Sequence, residues 1–137
     1  MEEVDDSEYL LRHVPGGTLW QASGPRITSA NFQLRHDRNE TGVSVTRWRI
    51  TPPQRLLDLV GGKLQAGSRV AFVRAGEVRG LGLRVVPKPL ETDPGHAEIQ
   101  SDRSSLDDHA CRKKLALLFQ FVSLDLPQLP PSSLNSH

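Results

Sequence analysis

Five short runs of apolar and β-branched residues, none longer than eight, limit what this chain can fold into. They are "YLLRHV" (9–14), "VSVTRWRI" (43–50), "SRVAFVRA" (68–75), "RVV" (84–86) and "HAEIQ" (96–100). Each is bounded by glycine, proline or a polar cluster: Pro15-Gly16-Gly17 after the first, Pro87-Lys88-Pro89 after the fourth, Pro94-Gly95 before the fifth. Runs of this length and composition between turn residues read as strands. They are too short for helices that bury a full apolar stripe. Residues 27–34 admit a further short strand or turn, and "RHDRNETG" (35–42) reads as a loop tip.

Between the strands lie helix signals. Thr51 can act as an N-cap with Pro52 in the first helical position, followed by "QRLLDLV" and a stop at Gly61-Gly62. "GEVRGLGL" (76–83) reads as a short helical turn ended by a glycine. Ser104 or Ser105, with Asp107 and Asp108 behind it, makes a helix start that places acids where the helix dipole favours them. The helix expected over 106–123 carries Cys111, Leu115, Leu118 and Val122 on one stripe. Leu115, Leu117, Phe119 and Phe121 also alternate, so a strand competes with the helix in its second half.

The expected fold is therefore α+β: a single small mixed sheet of about four to five strands with two helices and disordered termini. A chain of 137 residues is normally one domain and buries roughly two-thirds of its unfolded surface. We place the domain at 9–124, between an acidic, solvated tail (1–8) and a Pro/Ser-rich disordered tail (125–137). Cys111 is the single cysteine, which excludes a disulfide framework, and no stretch has the length of a membrane span. The acidic start "MEEVDDSE" is unlike a secretory signal, so the expected location is the cytoplasm.

The formal charge of +1 conceals an asymmetry: residues 1–8 hold five acids and no Lys or Arg, leaving 17 bases against 11 acids in the remainder. Thirteen of those bases are arginine. Arginine suits carboxylate and phosphate, yet surface charge by itself argues for solubility more than for a defined partner.

The stretch "DPGHAEI" (93–99) is the nearest approach to a reactive motif. On a strand, His96 and Glu98 share one face while Ala97 and Ile99 share the other. A carboxylate beside an imidazole serves acid–base chemistry, and it is equally the wet face of an ordinary strand. The histidines at 13, 36, 96 and 109 lack ligand spacing, so no metal site is expected. Cys111, on an apolar stripe, is expected to be inert.

"LLRHVP", "SANF", "TGVSVTR" and "GLGLRVVPKPLETDPGHAEI" together resemble short bacterial open reading frames of unassigned activity. The order of Arg12 or His13, Ser44 and Glu98 also resembles that of ADP-ribosyltransferase-type toxin domains. That resemblance implies a nucleotide-using enzyme with NAD as cofactor. The basic residue would hold the dinucleotide, Ser44 would brace the site, Glu98 would contact the nicotinamide ribose, and His96 would lie beside it.

Three readings follow. The leading one is a small cytosolic bacterial protein-binding module without catalytic activity or cofactor. It would contact another protein, or a second copy, through Leu117, Phe119 and Phe121, provided "LALLFQFV" leaves an exposed apolar patch. The second is the nucleotide-using enzyme of Arg12, His13, Ser44, His96 and Glu98. The third is nucleic-acid binding, with Trp48 stacking between Arg47 and Arg49 and support from Arg12, Arg35, Arg38 and the basic run 112–114.

Overall fold

A computed structural model describes residues 2–14, 27–32, 34, 40–59, 69–101 and 105–122. The Pro15-Gly17 turn, Arg35, His36, Arg38, the Gly61-Gly62 helix stop, Ser104 and the 125–137 tail lie outside the described residues.

The strands are β1 (Tyr9–Val14), β2 (Val43–Arg47), β3 (Arg69–Arg74), β4 (Arg84–Pro87), β5 (His96–Gln100) and β6 (Gln120–Phe121). The helices are α1 (Pro53–Leu59), α2 (Ala75–Gly80) and α3 (His109–Leu118), with 3₁₀ turns at Ser29–Phe32 and Ser105–Asp107. The strands form one sheet in the order β4-β5-β2-β1-β3-β6, and every pairing in it is antiparallel. The α+β class holds. The expected count of four to five strands and two helices is too low, and the sheet is antiparallel where a mixed one was expected. Among the described residues, no helix is long and apolar enough to cross a membrane.

Strand alternation divides the core in two. Leu10, Val14, Val43, Val45, Ala71, Val73, Val85, Ala97 and Ile99 form one face, packed with Val78 of α2 and Leu115 of α3. On the other face Leu11 and Val70 meet Trp48, Leu56 of α1 and Val122, with Tyr9 and Phe72 set edge-on to Trp48. Burial of one such side chain contributes about 1.5–3 kcal/mol. Among the described residues the second core is the smaller.

β2 stops at Arg47, short of the expected residue 50. The amides of Ile50 and Thr51 both donate to the Arg47 carbonyl, at 3.0 and 2.9 Å, which folds the chain back on itself. Gly95 lies against this turn, and its carbonyl accepts from the Arg47 amide at 2.8 Å. A Cβ on Gly95 would sit 2.7 Å from Thr51 Oγ1, closer than real side chains come. Thr51 is thereby diverted from its expected capping role: its hydroxyl donates to Asp93 Oδ1 at 2.9 Å, and α1 begins at Pro53.

The stretch 106–123 contains both of the competing structures. α3 starts behind Asp108, whose Oδ1 accepts from the Ala110 amide at 2.9 Å, and ends at Leu118. Phe119 turns extended and drops against Phe32, with the ring centroids 5.1 Å apart. Gln120 and Phe121 then pair with β3. Cys111, Leu115 and Leu118 pack on the α3 face of the sheet, whereas Val122, past the helix, is buried on the opposite face.

The acidic segment is also not a solvated tail. Val4 is 2% exposed in the main core. The carbonyls of Glu8 and Asp6 accept from the Ala75 and Gly76 amides, both at 2.9 Å. These are the first amides of α2, which no carbonyl of the helix can reach. Three of the segment's acids pair with arginines, and Glu8 is buried in doing so. Arg47 holds Glu8 with two bonds (Nε–Oε1 2.8 Å, Nη2–Oε2 2.6 Å) and donates to the Glu2 carbonyl at 3.0 Å. Arg49 meets Glu2, and Arg79 meets Asp6 at 2.6 Å.

Candidate functional site

The β2–β5 register pairs Val43 with Ile99, Ser44 with Glu98, Val45 with Ala97 and Thr46 with His96. Ala97 and Ile99 are fully buried, while His96 and Glu98 are half-buried on the face away from α2 and α3. The His96–Glu98 pair of "DPGHAEI" is thus first of all one side of a strand.

The β1–β2 ladder pairs Leu10 with Arg47 and Leu11 with Thr46 and goes no further, although β1 stays paired with β3 through Val14. Past Thr46 the two strands part. The Arg12 guanidinium fills the gap: Nη1 donates to the Ser44 carbonyl at 2.6 Å and Nη2 to the Asn31 carbonyl at 2.6 Å, and Nε meets Asn31 Oδ1. It also lies over the Phe32 ring, 5.5 Å from its centroid.

At this split lies a cleft of about 570 Å³, lined by Leu11, Arg12, His13, Ser44, Val45, Thr46, Leu56, Thr92, Asp93 and His96. His13, Ser44, Thr46 and His96 come from three strands of the open face. Arg12 and Val45, which point the other way by alternation, reach the lining where the ladder is broken.

His96 is fixed in orientation. Its Nδ1 lies 2.9 Å from the Lys88 carbonyl. A carbonyl can only accept, so in the neutral ring Nδ1 carries the proton and Nε2 is the acceptor. Nε2 has no partner among the described residues. Burial, and secondarily the charge of Arg12, push the His13 pKa below the usual imidazole value. Asp93 is 8% exposed and is held by three donors: Thr46 Oγ1 (2.9 Å), Thr51 Oγ1 (2.9 Å) and the Gly95 amide (3.2 Å).

Of the five residues of the enzyme reading, Arg12, His13, Ser44 and His96 meet at the cleft, and Glu98 does not line it. Arg12 leaves β1 toward Phe32 while Glu98 leaves β5 with His96, so the two lie on opposite faces of the sheet. Burial acts to raise the Glu98 pKa, but hydrogen bonds from Gln100, Thr41 and Lys88, with the charge of Lys88, outweigh it and hold the carboxyl low. That carboxylate is occupied, with Thr41 Oγ1 at 2.9 Å and Lys88 Nζ at 3.2 Å.

The nucleic-acid set does not form one stacking surface: only Arg49 of its central three is exposed, at 46%. Arg47 and Trp48 are each 4% exposed, the first bound to Glu8 and the second in the smaller core. Arg49 is turned to Glu2 and Glu8. In the protein-binding set, Phe119 is a core residue at 8% exposure, Phe121 is half-buried, and Leu117 is 71% exposed. The apolar segment is therefore not one contiguous patch. Replacing Leu117 with glutamine is expected to change stability by no more than about 0.5 kcal/mol and to leave sedimentation unchanged across protein concentration. A drop in oligomer mass on this substitution would reinstate the helix end as a contact surface.

Burial, then the charge of Asp108, raises the Cys111 pKa, against a reactive thiolate. Among the described residues, no group of three or more His, Cys, Asp or Glu could hold a metal ion. The sequence reading passed over Asp93 and Thr46. The available signal was an aspartate directly before a Pro-Gly turn, a residue type whose carboxylate gathers nearby donors. No protein-family model matches the chain, and comparison with curated proteins and with solved structures finds no similar protein.

Proposed function

We propose that this chain binds a small organic ligand in the cleft at the β1–β2 split. The observation that carries the reading is the convergence of His13, Ser44, Thr46 and His96, from three strands, on one concavity of about 570 Å³. That size falls within the range of small-molecule sites, and the lining has their mixture of apolar walls and a few polar groups. A bacterial, cytosolic setting is part of the same proposal.

The nucleotide-using alternative draws support from the same residues, with His13 as the basic group in place of Arg12. It lacks the support of Glu98, whose carboxylate is bound by Thr41, Gln100 and Lys88. Protein docking through Leu117, Phe119 and Phe121 is the weaker reading, since it would need Phe119 at the surface.

The test is a fragment screen on the full chain, followed through the imidazole signals of His13 and His96 by NMR. Binders should shift both signals. Ser44→Trp, at an exposed position in the lining, should abolish those shifts without unfolding the protein. If all binders instead perturb residues around Leu117, or the Ser44→Trp protein binds as well as the parent, the cleft is not the site.

A further inference from the structure

We propose that the ligand of this cleft is an uncharged ring compound carrying hydrogen-bond donors, with nucleosides as the defining class, and that it donates to His96 Nε2. The inference rests on the cleft being the ligand site and goes on to say what chemistry that site selects.

The polar lining decides the sign. In its neutral form His96 donates its Nδ1–H to the Lys88 carbonyl, which leaves Nε2 as an acceptor on a residue that lines the cleft. The Thr46 hydroxyl spends its proton on Asp93 Oδ2. The Asp93 carboxyl accepts from three donors and adds further acceptor oxygens to the wall. The hydroxyls of Ser44 and Thr92 can donate or accept.

The N–H groups of the nearby cations are already engaged, although Arg12 itself stays in the lining. Arg12 gives its guanidinium to Asn31 and the Ser44 carbonyl, and Lys88 pairs with Glu98 at 3.2 Å. His13 is held toward its neutral form by burial and by Arg12. A phosphate or carboxylate would meet the Asp93 carboxylate and the His96 acceptor, and would find the N–H groups of Arg12 already bonded to Asn31 and Ser44. A donor-bearing group meets the right one.

The apolar lining decides the shape. Leu11, Val45 and Leu56 supply the apolar wall of the lining, with Leu56 the most exposed of the three at 7%. A ring laid on that wall, with its hydroxyl or amino edge toward His96, satisfies both sides. A small linear cation would satisfy only the polar one.

The experiment is a titration of the full chain with adenosine, 2′,3′-dideoxyadenosine, adenosine monophosphate and agmatine, read by calorimetry and by the His96 imidazole signals. Adenosine should bind and shift His96. The dideoxy compound should bind about tenfold more weakly, the loss of one hydrogen bond to an oriented acceptor. The monophosphate should bind no more tightly than adenosine, and agmatine should not compete. His96→Phe should weaken adenosine about tenfold, with its amide spectrum confirming an intact fold, and Ser44→Trp should abolish binding.

The inference is overturned if the monophosphate binds tenfold tighter than adenosine, if agmatine is the better ligand, or if none of the four shifts His96. In each of these cases the fragment screen still judges the cleft itself, so failure over ligand class and failure over location are separable.

Discussion

Arg47→Leu should destabilise the protein by about 3 kcal/mol. This is the lower end of what removal of one partner costs in a buried ion pair, because the other charge is left without compensation. Arg47 and Glu8 are 4% and 8% exposed and meet through two hydrogen bonds. Arg49, with Nε 3.4 Å from Glu8 Oε1, softens the loss without replacing it. Arg47 also donates to the Glu2 and Glu3 carbonyls, so the whole segment 2–8 loses its anchor. Urea unfolding measures the cost, and amide exchange locates it: the Ala75 and Gly76 amides, bound to Glu8 and Asp6 carbonyls, should lose protection first.

The double substitution Arg47→Leu with Glu8→Leu should recover much of the loss, since an apolar pair often replaces a buried ion pair at little cost. A single-mutant loss under about 1 kcal/mol, the range of exposed pairs, would show that this pair is wetter than its geometry implies.

That anchor explains why the acidic segment was misread. Five acids in eight residues look like a solvated tail because composition is local information. Three of them, Glu2, Asp6 and Glu8, find partners 39 to 73 residues along the chain, in Arg49, Arg79 and Arg47. Two of those arginines, Arg47 and Arg49, suggested nucleic acid for the same reason: the sequence displays the charges and conceals which of them cancel.

Local pattern carried the strands well. β1 and β5 match the expected residues 9–14 and 96–100, because period-two alternation and Pro-Gly punctuation are both local signals. The ends failed where tertiary contacts intervene. Gly95 and Asp93 bend the chain after Arg47, and β3 captures Gln120 and Phe121 from a segment that had suited a longer helix. The candidate site was half legible. His13, Ser44 and His96 could be named from the letters. That Glu98 would be bound by Thr41 and Lys88, or that Arg12 would fill a broken ladder, depended on the register of three strands.

Asp93 carries the second large effect. Its carboxylate accepts from two buried hydroxyls, with Thr46 4% and Thr51 1% exposed, and from the Gly95 amide. Alanine at 93 should cost about 2–4 kcal/mol, the sum of stranding two buried donors at 1–3 kcal/mol each with partial relaxation. Asparagine should cost only about 1 kcal/mol, because its amide oxygen keeps one acceptor and a hydroxyl can rotate to accept from its NH₂. The ordering is the test, and thermal and urea unfolding read it.

Adding Thr51→Val to the alanine variant should restore part of the loss, since the valine methyl has no proton to satisfy. The Asp93 carbonyl accepts from the His96 amide at 3.0 Å through the backbone, so the asparagine variant should keep His96 in place and retain ligand binding. If alanine and asparagine cost the same, the carboxylate is not the tie between β2 and the turn before β5. The cleft would then owe its shape to the backbone alone.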